Sequence, residues 1–323
     1  MKETLSKIKW IAGRIYPSLP SLILIVMLGA LTSLCGIFRA LILKKLIDSA
    51  VNSQDGLIAK FAVVFALILF ADIILQAALT LIKANKHLQI SNSIQKRLFI
   101  RLTEAKWQNL VKYHSGDILT RLTNDAEALT NTIVNTIPNV ISLGVMLIGS
   151  FVTLLFFNKF LALVALGLAP ATVLLSRIFA RKLRNLFKSS QQAEAKYRSF
   201  LNESIQNMAV LKAFCLEGTC TSQVENLQSK KAKLVLSRNR INVFSNSVFS
   251  FGSWLGFFIV FCWGASNLSK GTVTYGTFTA LLQLFGNIQG PFAALAAAFP
   301  QIVYAFASAE RLMELEMLEP DIG

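Results

Sequence analysis

The stretch YHSGDILTRLTNDAEALTN, residues 113–131, is charged and rich in hydroxyl groups, in a chain that is 54% hydrophobic. It lies between two apolar runs, at 58–82 and 133–157, each long enough to cross a bilayer as a helix. A polar segment between two such runs has to lie in water. The sequence on either side of it indicates how far from the membrane it is held.

The composition is that of a membrane protein. Only 15% of the 323 residues are charged and the mean hydropathy is +0.55, whereas soluble domains carry about a quarter charged residues. We predict an all-α membrane protein with six transmembrane helices and long cytoplasmic helical extensions. The six predicted spans are 21–46, 58–82, 133–157, 160–181, 243–267 and 277–303.

The formal net charge of +15 is typical either of nucleic-acid binding or of the cytoplasmic segments of a membrane protein. With a cytoplasmic N-terminus, the outer loops at 48–56, 158–159 and 266–276 contain only Lys159 and Lys270 as basic residues. The other connections hold many more lysines and arginines. We therefore expect a multi-pass protein of the cell membrane with both termini cytoplasmic, and no nucleic-acid partner.

Long stretches without glycine or proline predict unbroken helices. They cover residues 57–115, 171–217 and 219–251, and the first would extend about 90 Å, against a hydrocarbon core of about 30 Å. Much of each helix should therefore project into the cytosol. Gly116 and Gly218 are predicted at the far ends of two helical hairpins, with Asp117 capping a short helix and NDAE (124–127) starting the return helix.

These segments carry a resemblance to a known family. GDILTRLTNDAEAL (116–129) resembles the first intracellular loop of ATP-binding-cassette (ABC) exporters, and ESIQNMAVLKAFCLEG (203–218) resembles the second. Residues 271–316 are similar to the sixth helix and exit linker, and LIDSA (46–50) to the end of the first helix. The chain departs from the common pattern at Ala40 and Lys44, where the first helix often has proline and glycine.

The resemblance implies the transmembrane domain of an ATP-driven exporter whose two loop tips couple to nucleotide-binding domains. Its other implied partners are a second transmembrane half, identical or related, membrane lipids and an unidentified substrate. By position, the coupling residues are Ser115, Gly116, Asp117, Ile118, Leu119, Thr120 and Arg121 in the first loop, and Glu203, Asn207, Met208 and Lys212 in the second.

The sequence contains no GxxxxGK[ST] phosphate-binding loop, so this chain alone is not expected to hydrolyse ATP. The resemblance places ATP and Mg in a nucleotide-binding domain outside the chain, and no cofactor within it. Either that domain is a separate polypeptide or the chain has been cut before it, and we favour the second. The expected organisation is an interfacial helix at 1–17, with Trp10 and Tyr16 as anchors, a six-helix domain at 18–311 and a linker start at 312–323.

Polar residues inside the spans are the candidates for the substrate pathway, because unpaired polar groups are costly in hydrocarbon. They are Arg39, Asp72, Gln76, Gln283 and Asn287. Arg39 and Asp72 form a buried pair, or else Arg39 snorkels and Asp72 faces a wet cavity. Gln283 and Asn287 share a face with Gly290, and either line the pathway or hydrogen-bond to neighbouring helices.

Other chemistry is sparse. Four cysteines and two histidines show no metal-ligand or catalytic spacing, so we expect neither a metal site nor catalytic residues. The GxxxG matches at 252–256 and 286–290 are expected to pack within the bundle. A secondary transporter or channel and a membrane scaffold without ATP coupling are the alternative functions. Drug, lipid and peptide substrates all remain open.

Overall fold

The computed structural model describes residues 10, 13, 18–178 and 180–321. The predicted interfacial helix at 1–17 therefore lies outside the described residues except for Trp10 and Gly13. Contacts divide the chain into two compact units, Met1–Ala165 with Ile259–Gly323 and Leu166–Phe258. Each unit is considered by itself.

The described ranges are helical, and their only β contact is an isolated bridge between Ala105 and Pro320. The helices are α1 Leu19–Val51, α2 Asp55–Thr103, α3 Trp107–Leu110, α4 Ser115–Phe157, α5 Lys159–Ile178, α6 Ala180–Gln206, α7 Met208–Ala213, α8 Glu217–Ser269 and α9 Tyr275–Glu316.

In the described part of the chain, α1, α2, α4, α8 and α9 are long and apolar enough to cross a membrane. The fourth predicted span falls in α5, which contributes the shorter apolar segment Lys159–Leu168. The predicted all-helical membrane fold is confirmed. Large apolar side chains along the spans are exposed in this single chain, as lipid-facing residues are.

The helix bends do not fall at the two predicted glycines. Gly116 lies in the first turn of α4 and Gly218 in the first turn of α8. The first turn region is instead residues 104–114, and the second is residue 207 together with 214–216. The prediction that α8 runs unbroken through 219–251 is confirmed.

The end of α2 is determined by a distant part of the chain, because no helix breaker is present at that point. The N–H of Lys106 donates to the carbonyl of Glu319 at 3.1 Å, and the N–H of Asp321 donates to the carbonyl of Glu104 at 2.6 Å. The carbonyl of Glu104 and the N–H of Lys106 therefore bond to residues 321 and 319, and do not continue the hydrogen-bond pattern of α2. At 1.5 Å per residue, α2 is therefore about 73 Å long and not about 90 Å.

The start of α4 also differs from the prediction. His114 occupies the N-cap position without a side-chain bond, so Asp117 does not cap a helix. The helix then continues through two π-helical turns, Arg121–Asp125 and Thr132–Thr136, and does not restart at NDAE. The second π turn ends two residues before Pro138, which has no N–H to donate to the preceding turn.

In the first unit, α1 packs against α2, α4 and α9 through small residues. A Cβ added to Gly29 would lie 2.2 Å from Ser142 Oγ, and Ser33 Oγ donates to the Ser142 carbonyl at 2.8 Å. At the other end of α1, Asp48 Oδ1 accepts from the N–H of Gly276, the second residue of α9, at 2.9 Å. The absence of side chains at the glycines permits this close helix approach.

Beyond the predicted spans, the extensions of α2, α4 and α9 share a hydrophobic core that includes Ile94, Leu98, Leu129, Leu312 and Leu315. The three extensions form one packed bundle in this unit. A displacement of one of them is therefore expected to displace the others.

The second unit contains the antiparallel pair α6 and α8. Glu194 accepts from Lys231 Nζ at 2.6 Å and from Arg198 Nε at 2.9 Å. Gln228 Nε2 donates to the Tyr197 hydroxyl at 3.1 Å, and the Lys231 ammonium lies 4.8 Å from the Tyr197 ring centroid. These contacts join the two helices of the hairpin.

Candidate functional site

The first turn region, residues 104–114, ends the bundle of the first unit. It carries the four-residue helix α3, whose Trp107 is 74% exposed, and the exposed Val111. An exposed tryptophan next to an exposed valine is typical of a surface that a partner covers. The resemblance to ABC exporters did not point to this segment, because the coupling residues that it implied begin at Ser115.

The seven predicted first-loop residues form the first turns of α4. Ser115, Gly116, Asp117, Leu119 and Thr120 are exposed, and Ile118 is partly buried. Their position beside α3 leaves them available to a partner.

Arg121 differs from the other six residues because its side chain is only 12% exposed. Its guanidinium bonds to Asp117 Oδ2 at 2.9 Å, Glu314 Oε2 at 2.7 Å and the Arg311 carbonyl at 3.1 Å. Burial alone would lower the pKa of Arg121, but its hydrogen bond to Glu314 and the nearby carboxylates raise it above its ordinary value. Arg121 therefore joins α4 to α9 and holds the tip in position.

One turn further along α4, Asp125 is buried in the first π-helical turn, with 2% of its side chain exposed. Its carboxylate accepts from Arg311 Nε at 2.7 Å, Arg311 Nη2 at 2.5 Å and Ser308 Oγ at 2.9 Å. Burial alone would raise the pKa of Asp125, but the bonds from Arg311 and Ser308 hold it below its ordinary value. This contact was not predicted, because the residues are 186 positions apart.

The segment that follows α9 crosses the first turn region. Besides the backbone bonds at residues 104–106, Arg101 Nε donates to the Glu316 carbonyl at 3.0 Å and Lys106 Nζ to Glu319 at 3.1 Å. Trp10, one of the two predicted lipid anchors, donates its indole N–H to Glu316 Oε2 at 2.6 Å. Residues 317–321, the exit segment, therefore form one structural element with the first tip.

The second tip, in the second unit, consists of α7 and the turn that follows it. The predicted residues Glu203, Asn207, Met208 and Lys212 are all exposed on it.

Close to these residues, Phe214 is 71% exposed and Cys215 has φ +52°, a conformation uncommon outside glycine. Both residues were missed as site candidates. The exposed phenylalanine is a signal that the sequence did contain.

Within the membrane segments, the structure brings together Arg39, Asp72 and Gln76. Arg39 Nη1 lies 3.7 Å from Asp72 Oδ2, which also accepts from Gln76 Nε2 at 3.0 Å. The second carboxylate oxygen, Oδ1, is buried and has no hydrogen-bond partner among the described residues. Arg39 and Asp72 are therefore paired, and Asp72 Oδ1 remains as an acceptor without a partner among the described residues.

Gln283 and Asn287 lie one turn apart on α9. Gln283 Oε1 and Asn287 Nδ2 are buried without a partner in the described part of the chain, so they do not hydrogen-bond to neighbouring helices through these atoms. A Cβ at Gly286 or Gly290 would meet nothing within 4 Å. The prediction that this GxxxG packs within the bundle is therefore wrong for a single chain.

Among the described residues, no group of three or more histidine, cysteine or acidic side chains is arranged to hold a metal. His87 Nε2 lies 3.2 Å from Glu127 Oε1, so this histidine belongs to an inter-helix contact. The described cysteines are free thiols.

Membrane-length helices continuous with packed extensions that end in exposed apolar tips define the membrane domain of a transporter. The chain belongs to the ABC transporter transmembrane region family, whose profile matches residues 22–292.

Two relatives illustrate the similarity. The ATP-dependent lipid A-core flippase of Syntrophus aciditrophicus (strain SB) is 23% identical over 234 residues, covering 72% of this chain and 39% of the relative. A Staphylococcus aureus (strain bovine RF122 / ET3-1) protein, named for multidrug export as an ATP-binding/permease protein, is 26% identical over 262 residues, covering 78% and 45%. The chain thus spans less than half the length of the curated relatives that it matches.

Proposed function

We propose that this chain is the transmembrane domain of an ATP-driven exporter, which forms the substrate pathway and couples it to nucleotide-binding domains through two cytoplasmic tips. The observation that carries the proposal is the exposed apolar surface of both tips, with Trp107 on one and Phe214 on the other. Exposed aromatic side chains at the ends of long helices are typical of a surface that a soluble partner covers.

The proposed assembly contains two transmembrane halves, identical or related, and two nucleotide-binding domains in which ATP and Mg bind. The names of both relatives include ATP, which supports this arrangement. The protein is placed in the cell membrane with both termini in the cytosol, on the basis of the lysine and arginine distribution. The proposed domain limits are 1–17, 18–311 and 312–323.

ATP binding would bring the nucleotide-binding domains together and move the tips. The packed extensions of α2, α4 and α9 would then transmit the motion to the spans. Arg121 and Asp125 support this role because each connects α4 to α9. In this scheme the residues from Ser115 to Thr120, together with Glu203, Asn207, Met208 and Lys212, contact the partner domains, and Arg121 positions the first tip.

The substrate pathway is proposed to include Arg39, Asp72 and Gln76 on α1 and α2, and Gln283 and Asn287 on α9. Asp72, Gln283 and Asn287 are supported by unsatisfied buried polar atoms, which are costly unless a substrate, water or second subunit meets them. Arg39 and Gln76 are included because both contact Asp72. The relatives' names mention a lipid and multidrug export, so a lipid or an amphiphilic drug is the proposed substrate class.

The proposal is tested with the full-length transporter in inverted membrane vesicles, by measuring ATP-dependent uptake of a fluorescent cationic dye and of a fluorescent phospholipid. Trp107→Ser and Phe214→Ser should each abolish uptake while the protein still inserts in the membrane. Phe156→Ser is the matched control, because Phe156 is exposed at the opposite end of α4 from the first tip. Uptake that persists without ATP would favour a secondary transporter, and no uptake by the wild type would favour a scaffold.

A further inference from the structure

A groove of about 680 Å³ lies between α2 and α4 of the first unit, and no residue of the two tips or of the proposed substrate pathway lines it. Its polar lining consists of Thr80, Lys83, His87, Glu127, Asn131 and Asn135. Neither the tips nor the predicted pathway explains this concentration of polar groups.

The groove offers hydrogen-bond donors that lack acceptors. No described carboxylate lies within ion-pair distance of Lys83, which is partly buried. Asn135 Nδ2 donates to Asn131 Oδ1 at 2.8 Å, which fixes the Asn131 amide and leaves its nitrogen as a donor. An ammonium group beside an oriented amide N–H suits an anionic oxygen.

The acidic residue of the groove has a partner of its own. Glu127 lies 3.2 Å from the ring of His87. Its charge still opposes an anion, so removal of this carboxylate should strengthen anion binding.

The depth of the groove identifies the source of the anion. Lys83 directly follows the predicted span 58–82, and Asn131 and Asn135 flank the start of the span at 133. The groove is therefore level with lipid headgroups, where phosphate groups concentrate. On the membrane side of Lys83, Leu81 is exposed and gives an acyl chain a surface to lie against.

We propose that this groove binds the phosphate group of an anionic phospholipid, with Lys83 supplying the charge and Asn131 a hydrogen bond. The site is distinct from the proposed substrate pathway. It does not depend on ATP-driven export.

The test is native mass spectrometry of the full-length protein taken from phosphatidylcholine nanodiscs that contain phosphatidylglycerol, counting the phosphatidylglycerol molecules retained. Lys83→Gln removes the charge-assisted contact to the phosphate and should reduce retention about tenfold. Lys86→Gln is the control, since it removes the same charge three residues away, outside the groove lining. Its retention should stay within about twofold of the wild type.

Glu127→Gln provides the opposite test, because a folding defect would not produce a gain in binding. It should raise retention of phosphatidylglycerol. Equal losses in Lys83→Gln and Lys86→Gln would overturn the proposal, as would no gain in Glu127→Gln. Inorganic phosphate bound at the groove, with phosphatidylglycerol retained no better than phosphatidylcholine, would show that free phosphate is the ligand and would also overturn the proposal.

Discussion

Arg311 on α9 donates two hydrogen bonds to the buried carboxylate of Asp125 in α4, at 2.7 Å and 2.5 Å. This bidentate pair connects the helix before the exit segment to the helix that starts at the first tip. A motion imposed at either end therefore reaches the other helix through a fixed contact.

Replacement of Asp125 by Asn should destabilise the protein by about 2 kcal/mol, because it leaves the partly buried guanidinium of Arg311 without its counter-charge. The measurement is the thermal unfolding midpoint of the purified protein in detergent. Asp117→Asn is the control, since Asp117 is 45% exposed and Arg121 keeps its contact with Glu314, so this change should cost about 0.5 kcal/mol or less. Equal shifts in the two variants would contradict the assignment.

The same contact predicts a pH dependence. The pKa of Asp125 is lower in the folded chain than its ordinary value of 3.8. The pair therefore stabilises the fold fully above that ordinary value, and its contribution is lost as pH falls through the lower folded pKa. The difference in unfolding midpoint between wild type and Asp125→Asn should be constant near neutral pH and shrink below about pH 4. A difference that grows on acidification would have the wrong sign.

Gly276→Ala should separate the outer ends of α1 and α9. A Cβ at this position would lie 2.1 Å from the Lys44 carbonyl oxygen and 2.6 Å from Asp48 Oδ1, which forces the helices apart at a cost of about 1–3 kcal/mol. Gly286→Ala on the same helix meets nothing within 4 Å and should not destabilise the chain. Unfolding midpoints of the two variants test the comparison, and a more stable Gly276→Ala protein would contradict it.

The Arg39–Asp72 pair is tested by a charge swap in the full-length transporter. Arg39→Asp and Asp72→Arg should each abolish uptake into inverted vesicles, because each replaces the ion pair with two facing like charges at a position where Asp72 is only 14% exposed. The double variant should regain a substantial part of the activity. Losses that simply add would show that the two side chains act independently.

The sequence was sufficient for five of the six predicted spans, because each needs only an apolar run of about 20 residues, whereas the fourth falls in α5, where the described apolar segment is only Lys159–Leu168. It was not sufficient for the turns between them. The turn after α2 follows from pairing of residues 104–106 with 319–321, and the one after α7 passes through Cys215 with positive φ. Both turns depend on long-range contacts or backbone conformations that cannot be predicted from the positions of glycine and proline.

For the candidate site, the sequence indicated local segments but not the contacts between residues that are distant in the chain. A resemblance between loop sequences predicted the second tip, and Met208 and Lys212 of that segment are exposed. It did not predict the bonds of Arg121 to Arg311 and Glu314 on α9, because these partners are distant in the sequence. The Asp125–Arg311 pair left no sequence signal because periodicity reports neighbours along one helix only.

The central claim, that the tips contact nucleotide-binding domains, is tested most directly by site-specific photo-cross-linking in the full-length transporter. A benzophenone side chain placed at Phe214 or Trp107 should form a covalent product with the nucleotide-binding domain, identified by mass spectrometry, and its yield should change when ATP is added. The same group at Phe156 should give no such product. Absence of any product from both tips, or an identical product from Phe156, would contradict the account.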